Sequence, residues 1–279
     1  MRVGLLDSWL SRRYLPFWEP YLRALDVEII RPEAVSIQLP LPQPIRRLVE
    51  QVFSLKKQGV DFLLLPDVQL GAEARHGSPS SWMVDLEATL GQLVPGLPPV
   101  LVVPAERTPE LAGLAAEVGQ NLTRNPMLAR RALERNKHLL TPTHRPPQQP
   151  GTQLIGLVAQ PMLSDDAVWL AGLEAGLAEQ GLNLFLLDKP PAELRLEGTK
   201  LGLALELPTD LEAAGLHRYL SRLGKVRGLL YVHDPTYLPL PRPLRRLLKK
   251  DPPAKPWRLV GLEERWGEVA LELARELGT

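Results

Sequence analysis

A chain of 279 residues is long enough for two domains at about 100–200 residues each, and its hydrophobic fraction of 44% is that of an ordinary globular protein. A formal net charge of +1 points by itself to no polyanionic or membrane partner. The absence of cysteine excludes disulfides, thiolate zinc sites, cysteine-ligated iron–sulfur clusters and cysteine nucleophiles together.

The beginning, MRVGLLDSWLSRR, does not read as a signal peptide, because Asp7 and two arginines interrupt the short apolar run. No apolar run approaches the roughly 20 residues that span a bilayer. The expectation is a soluble cytoplasmic protein. The 29 prolines and the excess of arginine over lysine fit a GC-rich genome or a thermophilic host, and loop prolines restrict the unfolded chain.

In chain order, Val3–Leu6 reads as the first strand. The loop Asp7–Leu15 follows, and Pro16 or Pro20 is expected to open a helix with Phe17, Trp18, Tyr21, Leu22 and Leu25 on its buried face. Val27–Ile30 is a second strand, and the proline-rich stretch Arg31–Pro44 is irregular. Ile45–Lys57 is amphipathic, and Gly59 ends it. Phe62–Leu65 is a buried strand stopped by Pro66-Asp67. Gln69–Ser81, with its glycines and serines, reads as a long functional or mobile loop. Trp82–Leu93 predicts a helix and Val100–Val103 a strand. Thr108-Pro109-Glu110 leads into a helix, and Asn125-Pro126 is a cap followed by proline at the first helical position.

Residues 141–153 hold four prolines and almost nothing apolar, and read as a linker between domains 1–140 and 154–279. The second domain opens with LIGLVAQPMLSDDAVWLAGLEAGLAEQGLNLFLLD, Leu154 to Asp188. An apolar run, a break at Gln160-Pro161, a helix near Ser164, a stop at Gly181 and another apolar run make a strand–helix–strand unit with a parallel crossover. Ser164 is expected to cap that helix. Trp169, Leu170, Leu173 and Leu177 form its buried stripe. Lys189–Gly198 reads as turns, Leu201–Leu205 as a strand, Leu211–Leu223 as a helix and Gly228–Val232 as a strand closed by His233-Asp234-Pro235. A short basic helix, a strand at Trp257–Gly261 and a helix at Glu263–Leu277 complete the chain. The fold class is α/β: two Rossmann-like, doubly wound, mainly parallel domains facing each other across a cleft.

The segment VGLLDSWLSRRYLPFWEPYLRALDVEII, with its Pro16-Phe17-Trp18 step, resembles the opening of proteins associated with 2-hydroxyacyl-CoA dehydratases and their activators. VDFLLLPDV and GLVAQPMLSDDAVWL look like that family's next strand and second-domain opening. The likeness covers most of the chain in the order and spacing of elements. It implies the two-domain scaffold. The family also carries cysteines before prolines, and the matching positions here are Pro42 and Ser78, neither able to bind iron. Its histidine-rich step reads Ala159-Gln160-Pro161 in this chain. The resemblance therefore implies a cluster-free relative, with no cofactor and no metal.

Ligands of parallel sheets dock beyond the carboxyl ends of the strands. That rule marks Asp7, Ser8 and Asp67 in the first domain. In the second it marks Gln160, Ser164, Asp165, His233 and Asp234, and Ser78 joins from the long loop. Caps and turns explain several of these positions as well. There is no GxGxxG after a strand, no GxxxxGK[ST], no HExxH and no GxSxG, so phosphate-loop, zinc-protease and nucleophile-elbow chemistry have no motif to stand on. The leading expectation is a non-catalytic ligand-binding or accessory protein whose partner is a small molecule or another protein. The alternative is a metal-independent enzyme with an inter-domain active site using His233 and aspartates. Two basic clusters, around Arg124–Lys137 and Arg242–Lys250, read as solvated helix faces. Nothing interleaves aromatics with them, so nucleic acid is not the expected partner, and no membrane partner is expected either.

Overall fold

The computed structural model describes residues 1–7, 10–41, 43–67, 85–141, 153–164, 166–205, 207–235, 238–262 and 265–278. The chain divides into two compact units, Met1–Thr143 and His144–Thr279. The expectations at Ser8, Pro42, Ser78 and Asp165, and most of the linker, lie outside the described residues.

In the first unit β1 (Arg2–Leu5), β2 (Glu28–Ile30), β3 (Phe62–Asp67) and β4 (Val100–Pro104) form an all-parallel sheet in the order β2-β1-β3-β4. Leu63, Leu64 and Leu65 are buried in succession. Because successive strand residues point to opposite faces, the sheet is covered on both faces at β3. The covering helices are α1 (Ser11–Ala24), α2 (Gln43–Lys57), α3 (Leu86–Leu93), α4 (Leu111–Thr123) and α5 (Pro126–Asn136), which ends in the 3₁₀ turn Lys137–Leu140.

Helix α1 corrects an expectation. It starts at Ser11, so Arg12 and Arg13 are helical rather than looped, and both Pro16 and Pro20 lie inside it. An internal proline loses a hydrogen bond and costs about 3 kcal/mol. Tyr14, Phe17, Trp18, Tyr21 and Leu22 are all fully buried, and each large apolar side chain so buried contributes about 1.5–3 kcal/mol. Burial therefore outweighs the prolines. Phe17 stacks on Tyr21 at 5.4 Å, and Trp18 meets both rings edge-on. The Tyr21 hydroxyl donates to the carbonyl of Ala115 in α4 at 2.5 Å, and burial pushes its pKa up to about 12. A Cβ on Gly119 would come within 2.2 Å of that hydroxyl. Helix α5 starts as its sequence predicts: Pro126 is at the first turn and Asn125 Oδ1 accepts from the Leu128 amide at 3.1 Å.

The second unit repeats the strand order. Strands β5 (Leu154–Val158), β6 (Asn183–Phe185), β7 (Val226–His233) and β8 (Trp257–Gly261) are parallel in the order β6-β5-β7-β8. Its helices are α6 (Pro161–Ser164), α7 (Ala167–Ala178), α8 (Pro191–Thr199), α9 (Pro208–Arg222), α10 (Arg242–Lys250) and α11 (Trp266–Leu277). Gly181, with φ of +70°, turns the chain after α7 as expected. Ser164 differs from its expected role: it ends the short α6, and its hydroxyl donates to the Pro161 carbonyl at 3.4 Å. Trp169 of α7 packs on Trp266 of α11 at 5.9 Å. Among the described residues no helix is long and apolar enough to cross a membrane.

Residues 189–205 depart most from the sequence reading. The expected turns form helix α8, and the expected strand Leu201–Leu205 joins neither sheet. Pro191 sits at the first turn with Glu193 behind it, a helix start that the Pro-Pro pair disguises. Leu203 packs on the core instead of pairing in the sheet. Helix α8 lies antiparallel on α9, and the two backbones touch at two glycines. A Cβ on Gly198 would stand 2.1 Å from the Leu211 carbonyl oxygen, and one on Gly215 would stand 2.0 Å from that of Leu194. Around this crossing, Arg195 pairs with the buried Glu212 at 3.2 Å and Arg218 with Glu197 at 2.9 Å.

Backbone atoms cannot retreat as a side-chain tip can. Gly198→Ala and Gly215→Ala should each destabilise the second unit by about 1–3 kcal/mol or more. Gly172→Ala in α7, whose nearest neighbour would be at 3.6 Å, should be neutral or stabilising by up to about 1 kcal/mol. Denaturant unfolding of the variants measures both effects. Equal stability of the Gly215 and Gly172 variants would refute the close crossing.

Candidate functional site

A parallel sheet buried on both faces leaves its polar chemistry at the strand ends. Where neighbouring crossovers leave in opposite directions, the carboxyl edge opens a crevice. The strand orders put that divergence beside β1 in the first unit and beside β5 in the second.

At the end of β1, the backbone of Asp7 is held by one side chain of α2. The Asp7 amide donates to Gln51 Oε1 at 2.9 Å, and Gln51 Nε2 donates to the Asp7 carbonyl at 2.8 Å. The side-chain amide thus supplies the pairing that another strand would supply. Helix α2 also holds the segment leaving β2. Gln58 Nε2 donates to the Arg31 carbonyl at 3.1 Å, Ser54 Oγ accepts from the Glu33 amide at 2.8 Å, and Glu50 Oε1 accepts from the Ile37 amide at 3.1 Å. Glu50 and Ser54, four residues apart, share one face of α2, and Gln58, the residue after the helix, continues that row. The irregular Arg31–Leu41 is thereby laid antiparallel along α2 as a strap.

Strap, β1 end and helix enclose a groove of about 860 Å³ lined by Asp7, Arg31, Glu33, Arg47, Glu50 and Gln51, among others. Its walls carry both signs of charge. Arg31 is steadied from outside by Glu19 at 2.6 Å. Asp67 ends β3, where its carbonyl accepts from the Ala105 amide at 3.0 Å, and it does not line the groove. Of the described residues marked by sequence in the first unit, Asp7 lines the groove and Asp67 does not. Arg31, Arg47, Glu50 and Gln51 were missed, although the polar face of α2 was legible opposite Ile45, Leu48, Val49, Val52 and Leu55.

In the second unit Val158 pairs with Tyr231. His233 follows Tyr231 by two residues in β7 and so shares its face of the sheet, and Gln160 lies two residues past the end of β5. That face carries α9, since Val158 and Tyr231 share a core with Ala213, Leu216 and Leu220. Gln160 is 3% exposed and donates through Nε2 to Asp210 Oδ1 at 2.6 Å. Its Oε1 has no hydrogen-bond partner among the described residues. Burial raises the Asp210 carboxyl from its ordinary value to about 6, against the lowering effect of the Gln160 hydrogen bond. A carboxyl in that range exchanges protons near neutral pH. Asp234 starts a turn that its backbone closes with Leu238, at 3.1 and 3.0 Å. Asp210 was missed because it reads as a first-turn helix acid. In the second unit Gln160 thus meets Asp210 of α9, and His233 stands on the same face of the sheet. Ser164 is bonded within its own turn.

His217, deeper on α9, meets the Tyr231 hydroxyl at 2.7 Å through Nδ1. Burial lowers its pKa to about 4, with the charge of Asp251 opposing. It belongs to the core rather than to the edge.

Asp210 and His217 bias stability oppositely. The folded state binds the Asp210 proton more tightly than the unfolded chain, so this group's contribution is lost as pH rises from about 4 to about 6. Folding disfavours protonated His217, so its contribution is lost as pH falls from about 6.5 to about 4. Asp210→Asn keeps an acceptor for Gln160. It should leave stability near pH 4 unchanged and raise it above pH 7 by about 1–2 kcal/mol, discounted for partial exposure. Thermal unfolding from pH 4 to 8 tests the sign, and a variant less stable at pH 7 would contradict it.

No protein-family model and no curated protein matches the chain.

Proposed function

We propose that this chain is a non-catalytic ligand-binding or accessory protein on a Rossmann-like, dehydratase-like scaffold that lacks the iron–sulfur cysteines. The observation that carries the reading is the groove of about 860 Å³ at the end of β1, a volume within the roughly 300–1,000 Å³ of small-molecule sites. Its charge pattern suits a phosphate-bearing ligand that also donates hydrogen bonds. Arg31 and Arg47 would take the anionic groups, and Asp7 and Glu33 the donors. A coenzyme A thioester has that chemistry, and the resemblance of the opening segment points the same way. The absence of cysteine leaves no thiolate to hold a cluster.

A second reading, acid–base catalysis at the other sheet edge, is favoured by the contact of Gln160 with Asp210 and by His233 on the same face of the sheet. Turnover separates the two readings. Calorimetric titration with coenzyme A should show saturable binding, weakened at least tenfold by Arg47→Glu. Metal analysis should find no stoichiometric iron, and a 2-hydroxyacyl-CoA should emerge unchanged. Absent binding or stoichiometric iron would overturn the binding reading. Turnover abolished by His233→Ala would replace it with the enzymatic one.

A further inference from the structure

Helix α10 presents Arg242, Arg245, Arg246, Lys249 and Lys250 to solvent. Its other side is anchored, with Leu244 fully buried and Leu248 2% exposed in the core of the second unit. The helix contains no acidic residue. None of the five cations has an ion pair or hydrogen bond to another side chain among the described residues. They fall at successive turns, giving a straight basic stripe about 12 Å long.

We propose that this stripe is a sequence-independent contact for the phosphate backbone of a nucleic-acid duplex. The form of the surface selects that partner. A convex helix face offers no cradle to a single small phosphate. Basic amphipathic helices enter membranes by their apolar face, and here that face is in the protein core. A linear row of cations matches a linear polyanion, and duplex DNA carries one charge per roughly 1.7 Å of axis. Arginine forks suit phosphate oxygens. The exposed face has no aromatic residue on which to stack an unpaired base, so a duplex is favoured over a single strand. The low net charge that argued against nucleic acid at the sequence level is an average over the whole chain, whereas association responds to the local field.

The test is fluorescence anisotropy of the full chain with a short duplex of arbitrary sequence between 50 and 200 mM salt. With all five cations engaged, affinity should fall roughly 500-fold across that range, from a slope of about −0.9 per phosphate. The triple variant R245E/R246E/K249E should weaken binding at least tenfold at 50 mM salt and flatten the slope. A control, R130E/R131E/R135E on the exposed face of α5, changes the net charge of +1 by the same amount. It should bind within about threefold of the parent. Circular dichroism establishes that both variants fold. No binding at 50 mM salt overturns the proposal, as does an α10 variant that binds like the parent, or a control that loses as much. Equal competition by polyglutamate or by anionic lipid vesicles would also overturn it, assigning the surface to an acidic protein or a membrane instead.

Discussion

Burial of the inner strands of two parallel sheets is the constraint from which the remaining features follow. A strand covered on both faces has no polar side of its own, so every polar contact it makes must come at its ends. Leu63, Leu64 and Leu65 illustrate the first half of that statement, and Asp7 and Gln160 the second. Both end residues sit just past a first strand, and both are fixed by a residue of the crossover helix that leads into the neighbouring strand. In one unit the side-chain amide of Gln51 grips the backbone of Asp7. In the other the side-chain amide of Gln160 grips the carboxyl of Asp210.

The two crossovers solve one spatial problem in different ways. Each must carry the chain from the outer strand past the first strand and cover the helix that precedes the third. The first unit does this with an extended strap, held by the polar row Glu50, Ser54 and Gln58. The second does it with a whole helix, admitted only because Gly198 and Gly215 let two backbones touch. A strap bound by three hydrogen bonds, each with a net value of about 0.5–1.5 kcal/mol, is the weaker covering. A groove forms beside the strap.

Most of this was legible in the sequence. Buried strands announced themselves as apolar runs, and Asn125-Pro126 and Gly181 marked helix ends by chemistry that needs no tertiary partner. The failures share a cause. Pro16 and Pro20 read as a helix start because local rules count the lost hydrogen bond and not the aromatic burial that offsets it. Leu201–Leu205 has the alternation of a strand, but both sheets close without it. Gly198 looked like a turn residue because the helix it touches is distant in sequence. For the candidate sites, position at a strand end was readable for Asp7, Gln160 and His233. The partners that give those positions shape, Gln51 and Asp210, come from helices whose facing residues only the fold selects.

Asp210 shows why such a partner is more than a cap. An acid in the first turn of a helix is ordinarily stabilised as the anion by the helix dipole. Here burial overrides the dipole and the hydrogen bond from Gln160 together, and the carboxyl holds its proton to about pH 6. A side chain chosen for stability alone would avoid that cost, because an amide in its place could keep the same partner without the charge. Beside it, the Oε1 of Gln160 is buried without a partner among the described residues. Both features stand at the carboxyl edge of the sheet, where parallel folds take their ligands.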